Sequence, residues 1–293
     1  MLTEHASPAS SVLDAYAQCR RIALGHYENF PLVSWLLPRD LAPHIFALYA
    51  YCRGVDDLGD ESEGDWLALL DQWETELDQA FAGRPGDARF IALADTIRRF
   101  KLPRDQFERL IEASRRDQCV TRYQTFDDLL DYCTYSANPV GRLVLRIFGC
   151  DDAELDHLSD ATCTALQLAN MWQDVARDFA IGRVYIPLED MARFGVTEAD
   201  LGASTASRDV RRLVRCEVRR TREYFAHGLP LIERVGGRFR LDLRMFTLGG
   251  LAVLDAIKKQ RYDVLAERPR VSGATKAWLA VRGLAPVRMS ATR

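Results

Sequence analysis

The chain of 293 residues has no apolar run approaching the roughly 18–20 residues that span a bilayer. Nor does one sign of charge prevail: 39 lysines and arginines stand against 42 aspartates and glutamates, a net charge of −3. That balance leaves no basic footprint for nucleic acid. Cys-x-x-Cys pairs are missing. The seven cysteines (Cys19, Cys52, Cys119, Cys133, Cys150, Cys163 and Cys216) are odd in number and fit neither a disulfide framework nor a zinc site. Reduced, mostly buried thiols in a cytoplasmic setting are expected instead. No Gly-x-Gly-x-x-Gly fingerprint occurs, so a Rossmann-bound nucleotide is not expected. The first 25 residues carry Glu4 and Asp14 without a continuous apolar core, so no signal peptide is expected. Surface association with lipid remains compatible with all of these absences.

Alternating β-branched runs are also scarce, and neither an internal repeat nor a low-complexity segment is found. What is present is apolar residues at helical period almost throughout. The pattern predicts helices over 11–25, 40–59, 64–82, 87–100, 104–117, 126–136, 139–148, 151–179, 207–234, 238–265 and 272–283. Pro38 and Pro43 open the second of these, and Gly59 marks its end. Asp151 or Asp152 caps the long 151–179 helix, with Glu154 and Asp156 in its first turn. Gly228 and Pro230 predict a kink in the 207–234 helix. No linker divides two cores, so a single all-α domain over 1–293 is expected, its core about 12–283.

Two acidic clusters interrupt this apolar pattern. The first, Tyr51 to Glu61, holds Asp56, Asp57 and Asp60; the second, Gln167 to Asp178, repeats a polar ligand every fourth residue at Asn170, Asp174 and Asp178. Residues four apart on a helix are neighbours, about 5–6 Å between Cβ atoms, so each cluster forms a ladder on one face. Gln167 lies one turn before Asn170 on nearly the same line. Like charges so spaced destabilise a helix by about 0.2–0.5 kcal/mol per pair, and more if two ladders face each other across a partly buried gap. A divalent cation removes that cost. Oxygen-only donors point to Mg²⁺, which binds a few carboxylates together with substrate phosphates. The bland alternative for one such cluster is a solvated helix end, and Asp127-Asp128 and Asp151-Asp152 are read that way. For Arg53, a salt bridge to a neighbouring carboxylate competes equally with contact to a phosphate. Ionising a diphosphate would also need a dry, aromatic-walled cavity. Candidates for that wall are Phe30, Phe46, Tyr49, Tyr132, Tyr135, Met171, Trp172, Met245 and Phe246, although most aromatic residues at helical spacing are simply core.

With these residues in view, the sequence resembles the squalene/phytoene synthase family. Tyr49, Arg53, Asp56, Asp57 and Asp60 match its Tyr-x-x-x-Arg and Asp-Asp-x-x-Asp signature. Gln167, Asn170, Asp174, Asp178, Arg183, Tyr185 and Pro187 match the second signature, and Arg261 to Val264 with Arg268, Ser272 and Lys276 resemble the C-terminal end. The resemblance implies an isoprenoid synthase fold with a central cavity and Mg²⁺ as cofactor. It implies Asp56, Asp60, Asn170, Asp174 and Asp178 as metal ligands. His26, Tyr27, Glu28, Asn29, Tyr49, Arg53, Gln167, Asn170 and Gln173 would contact the isoprenoid diphosphate. Tyr49 and Tyr132 join the aspartates as catalytic candidates.

The departures from the family pattern carry information of their own. His26-Tyr27-Glu28-Asn29-Phe30 replaces the usual Ser-x-Ser-Phe after a histidine, Gln173 replaces an arginine, and Arg177 replaces an acidic residue. Ser136 to Gly141 stands where a glycine-rich turn is common, and Gly250 roughly where some relatives place a tyrosine. These features resemble the bacterial hopanoid-pathway branch, which converts presqualene diphosphate and water to hydroxysqualene. Alternatives are head-to-head condensation of farnesyl or other prenyl diphosphates, or an inactive family member acting as an assembly factor. A di-iron helical bundle would need two Glu-x-x-His motifs, and only Glu154 to His157 has that spacing.

Overall fold

The computed structural model describes residues 8–25, 37–60, 65–273, 275 and 278, with side chains from residue 12 onward except those of 59 and 60. Secondary structure among them is helical, apart from an isolated parallel bridge between Arg122 and Val184. Two compact units divide the chain: Met1–Gln118 with Arg142–Asp152, and Cys119–Gly141 with Ala153–Arg293.

The first unit contains α1 (Pro8–Gly25), α2 (Ala42–Asp60), α3 (Trp66–Phe81), α4 (Ala88–Phe100) and α5 (Arg104–Cys119). Helix α1 packs on α2 and α4, and α2 also packs on α3 and α4. Its core is aromatic: the Tyr51 ring lies 5.2 Å from Phe107, 5.8 Å from Trp73 and 5.9 Å from Phe90. The Tyr51 hydroxyl donates to the Phe107 carbonyl at 3.1 Å, so a fully buried ring keeps its polar tip satisfied. Asp65 and Asp87 cap α3 and α4, and Lys101, left-handed at φ 51°, closes α4.

The second unit contains α6 (Phe126–Ser136), α8 (Ala153–Ala180), α9 (Leu188–Phe194), α10 (Glu198–Leu201), α11 (Arg208–Arg234) and α12 (Gly237–Lys259); α7 (Asn138–Ile147) crosses the division. Helix α8 packs against α6, α11 and α12, and buried side chains on several of its faces match that central position. Close approach needs glycine at two points. A Cβ on Gly228 of α11 would lie 2.1 Å from Thr162 Oγ1 and 3.1 Å from the Leu158 carbonyl oxygen, both on α8. A Cβ on Gly250 of α12 would lie 2.4 Å from Phe225 and 2.8 Å from Leu166. Gly250 is therefore a packing position between three helices.

Several expectations change. The helix expected over 238–265 stops at Lys259, because Arg261 and Tyr262 are left-handed and Asp263 accepts the N–H groups of Ala206, Leu265 and Ala266. Helix α11 continues through Gly228 and Pro230, the pair at which the sequence places a kink. Helices α9 and α10 were not expected at all. Asp128 does cap α6, in a reciprocal box with Thr125. The segment expected as a helix over 272–283 lies largely outside the described residues.

Candidate active site

In the first unit, α2 buries Leu48, Tyr51 and Val55 on one face and carries Tyr49, Arg53, Asp56 and Asp57 on the other. Asp56 is exposed, while Tyr49, Arg53 and Asp57 are half-buried. Arg53 bridges Asp57 at 2.6 Å, one turn away, so the guanidinium offsets the acidic pair within its own helix. Burial raises the Tyr49 phenol above its ordinary pKa; Arg53 opposes the shift, and Asp56 and Asp57 reinforce it. Asp60 ends α2, but its side chain lies outside the described residues, as do His26, Tyr27, Glu28, Asn29 and Phe30.

In the second unit, α8 carries Gln167, Asn170, Asp174 and Asp178 along the face it does not bury; Asn170 is exposed and the other three half-buried. Gln173, by contrast, is 8% exposed and faces the chain beyond α12. Its Nε2 donates to the Pro269 carbonyl at 2.5 Å. Arg268 donates from Nε to Asp174 Oδ1 at 2.5 Å and from Nη2 to Oδ2 at 2.9 Å. A further, weaker bond runs from Nη2 to Gln173 Oε1 at 3.3 Å. Arg177 approaches Asp174 at 3.6 Å from a more exposed position.

Below the ladder the chain turns at Gly182, left-handed at φ 83°, where the Arg183 N–H returns to the Asp178 carbonyl at 2.8 Å. Arg122 fixes this turn, a role the sequence pattern did not disclose. It donates to the Gly182 carbonyl at 2.6 Å and forks onto Glu198 at 2.7 and 2.8 Å. The Arg122 hydrogen bonds hold the Glu198 carboxyl below its ordinary pKa. Val184 then bonds to Thr121, bringing Tyr185 to stack on Tyr123 at 5.8 Å. Tyr132 completes this group at 5.6 Å from Tyr123 and 6.0 Å from Tyr185, and is buried. Beside them a cavity of about 10 Å³ is lined by residues including Asp178, Arg183 and Tyr185.

Of the other candidate wall residues, Trp172 is core, its indole N–H donating to Thr221 at 2.7 Å. Phe46, Met171 and Met245 are buried, Tyr49 and Tyr135 half-buried, and Phe246 is 37% exposed. All seven cysteines are free thiols.

Among the described residues no group of three or more His, Cys, Asp or Glu side chains forms a ready-made metal cage. The donors on α8 nonetheless suit Mg²⁺: two carboxylates and an amide, all hard oxygen ligands on one helix face. Mg²⁺ retains several waters and completes its shell with substrate phosphates, so it does not require an all-protein cage.

Comparison with known proteins agrees with the helical architecture. The family model for squalene/phytoene synthase matches residues 24–275. A phytoene synthase of Arthrospira platensis is 33% identical over 273 residues, covering 88% of each chain. The 15-cis-phytoene synthase of Synechococcus elongatus is 32% identical, covering 89% of this chain and 90% of its own. Among solved structures, the squalene synthase HpnC from Alicyclobacillus acidocaldarius is 50% identical with a TM-score of 0.83, covering 87% of this chain and 99% of its own. A dehydrosqualene synthase bound to a ligand is 26% identical with a TM-score of 0.87, covering 95% and 98%. The chain belongs to the squalene/phytoene synthase family of isoprenoid biosynthesis, a set of all-α enzymes.

Proposed function

We propose that this enzyme ionises presqualene diphosphate and lets water capture the carbocation, giving hydroxysqualene and diphosphate. Family members act on prenyl diphosphates and are generally dependent on divalent metal. The observation that carries the branch assignment is the 50% identity to the Alicyclobacillus squalene synthase, against 33% to the Arthrospira phytoene synthase. The replacement of an arginine by Gln173 supports it, because a single diphosphate needs fewer cationic contacts.

In this reading Asp56, Asp60, Asn170, Asp174 and Asp178 hold Mg²⁺. When bound, the metal neutralises negative charge developing on the departing diphosphate. Tyr49, Arg53 and Gln167, with His26, Tyr27, Glu28 and Asn29, orient the substrate, whereas the buried Gln173 grips Arg268 and Pro269 instead. The C–O bond breaks with its electron pair leaving on the diphosphate; the cyclopropylcarbinyl cation rearranges, and its ring opens by carbon–carbon cleavage as a water oxygen bonds to the cationic carbon and loses a proton. Tyr132, buried beside Tyr123 and Tyr185, contributes an aromatic wall that stabilises the cation and excludes other nucleophiles. The reading takes 1–293 as one isoprenoid synthase domain. Its largely apolar alcohol product belongs in lipid, so the reading includes a cytoplasmic protein in peripheral contact with the inner face of a membrane. No helix among the described residues is long and apolar enough to cross one.

The test offers purified protein and Mg²⁺ presqualene diphosphate and farnesyl diphosphate separately, in ¹⁸O-labelled water, with products read by mass spectrometry. Labelled hydroxysqualene from presqualene diphosphate is expected. Conversion of farnesyl diphosphate to presqualene diphosphate alone would remove the branch assignment. A second reading, condensation of two prenyl diphosphates as phytoene synthases perform it, is favoured by the relatives bearing that name. Geranylgeranyl diphosphate, offered as a third substrate, would then give a forty-carbon product.

A further inference from the structure

Asp174 has its own counter-ion already built into the fold. Both carboxylate oxygens accept from the Arg268 guanidinium, at 2.5 and 2.9 Å, in the planar two-pronged arrangement that makes arginine–carboxylate pairs strong. The neighbouring residue holds that fork in place by two routes. Gln173 accepts from Arg268 Nη2 at 3.3 Å and donates to the Pro269 carbonyl at 2.5 Å, so one amide grips both the guanidinium and the backbone beside it. Gln173 is buried, and an amide satisfied on both sides in a buried place has little freedom to turn elsewhere. Upstream, Asp263 fastens the start of the same segment. It accepts from Ala206, Leu265 and Ala266 N–H groups and from Arg211 Nη2 at 2.6 Å. The segment is thus pinned at Asp263 and again at Pro269, with Arg268 delivered onto α8 beside the second pin. Arg177 does not serve as an equal substitute, since it makes a single 3.6 Å approach from a side chain that is 69% exposed.

We propose that Arg268 is a displaceable internal counter-ion for Asp174, held there by Gln173 as a positioning residue. A divalent cation must move the guanidinium aside before it takes the carboxylate. This inference rests on the reading of Asp174 as a metal ligand. Without a cation, Asp174 and Asp178 repel along one face, and the fork removes that repulsion at the price of occupying the oxygens a metal would use. The apparent metal affinity of the substrate-free protein is then its intrinsic affinity reduced by the fraction of molecules in which the fork is open. Gln173 sets that fraction.

The test is a Mn²⁺ titration of the full chain, read by electron paramagnetic resonance without any diphosphate. Arg268→Gln is expected to bind Mn²⁺ about tenfold tighter than the parent, the fold-change of roughly one charge-assisted contact. Gln173→Leu should tighten binding by a smaller factor. The double variant should bind no tighter than Arg268→Gln alone, because Gln173 acts only through the guanidinium. Arg268→Lys keeps the charge without the fork and should fall between; it carries the test if the glutamine variant does not fold. Asp174→Asn is the control and should abolish the competed binding. If Asp174→Asn leaves Mn²⁺ binding unchanged, or the parent and Arg268→Gln both bind none, the metal-ligand reading fails and takes this inference with it. If Asp174→Asn abolishes binding while the Arg268 variants bind no tighter, the counter-ion role alone is overturned.

Discussion

Single carboxylates in this protein divide into those that meet a partner and those that burial keeps from ionising. Asp242 on α12 is of the second kind: it is 2% exposed, and neither oxygen has a hydrogen-bond partner among the described residues. Burial pushes its pKa up to about 7, with Arg238 opposing only in part. Between the unfolded value of 3.8 and about 7, the folded state holds a proton that the unfolded state has lost. Stability is therefore full below the unfolded value and falls as pH rises across this window, by about 1.4 kcal/mol per pH unit from this group. Asp242→Asn is expected to flatten that slope and to exceed the parent in stability at pH 8, which urea midpoints at pH 5 and pH 8 would read. An identical pH slope in both proteins would show that the carboxyl has a partner when folded. Glu217, fully buried and pushed to about 8 chiefly by burial, acts in the same direction in both proteins, so the comparison isolates Asp242. For the acidic ladders, Asp56→Ala and Asp174→Ala should each lower turnover by at least about 10³-fold, on the scale of losing a strong electrostatic contact in the transition state. Their thermal unfolding should shift little, because Asp56 is exposed and leaves the Arg53–Asp57 bridge intact, while Arg268 is partly solvated. A large loss of thermal stability with turnover retained would make either residue structural.

At the scale of helices, periodicity was a reliable guide wherever one stripe is buried, as in α11, and weakest where short-range hydrogen bonds decide. Helices α9 and α10 are too short to display a period, yet they left signals. Pro187 precedes Leu188, Glu189 and Asp190 fill the first turn, and Gly195 closes the end at φ 68°; Thr197 and Asp200 form a capping box. The stop of α12 left none, because Arg261 and Tyr262 are ordinary side chains in a left-handed conformation that Asp263 stabilises through distant groups. Gly228, read from the sequence as a kink signal, also admits a neighbouring helix. Gly228→Ala is expected to destabilise by about 1–3 kcal/mol, the usual cost of overpacking. Thr162→Ala in the same chain should restore part of the loss, since Thr162 Oγ1 is the nearest obstacle. Chemical denaturation of the two variants would read this, and no loss for Gly228→Ala would mean that α8 and α11 shift apart at no cost.

For the molecule as a whole, the sequence by itself determined the helical class, the family and the positions of both acidic ladders. Those properties are written in local spacing: a 3.6-residue apolar period, and oxygen donors at every fourth position, survive in any arrangement of the helices. It also left the two readings of Arg53 evenly matched, and only the fold shows the bridge to Asp57. Tertiary structure alone decided that Gln173 turns from the ladder to grip Pro269, that Arg122 holds the Gly182 turn, and that Arg268 covers Asp174. Each joins residues far apart in the chain, with separations of 60, 96 and 94. Spacing within a helix carries no information about such partners, because long-range contacts are set by how whole helices pack and by which buried polar groups must then be satisfied.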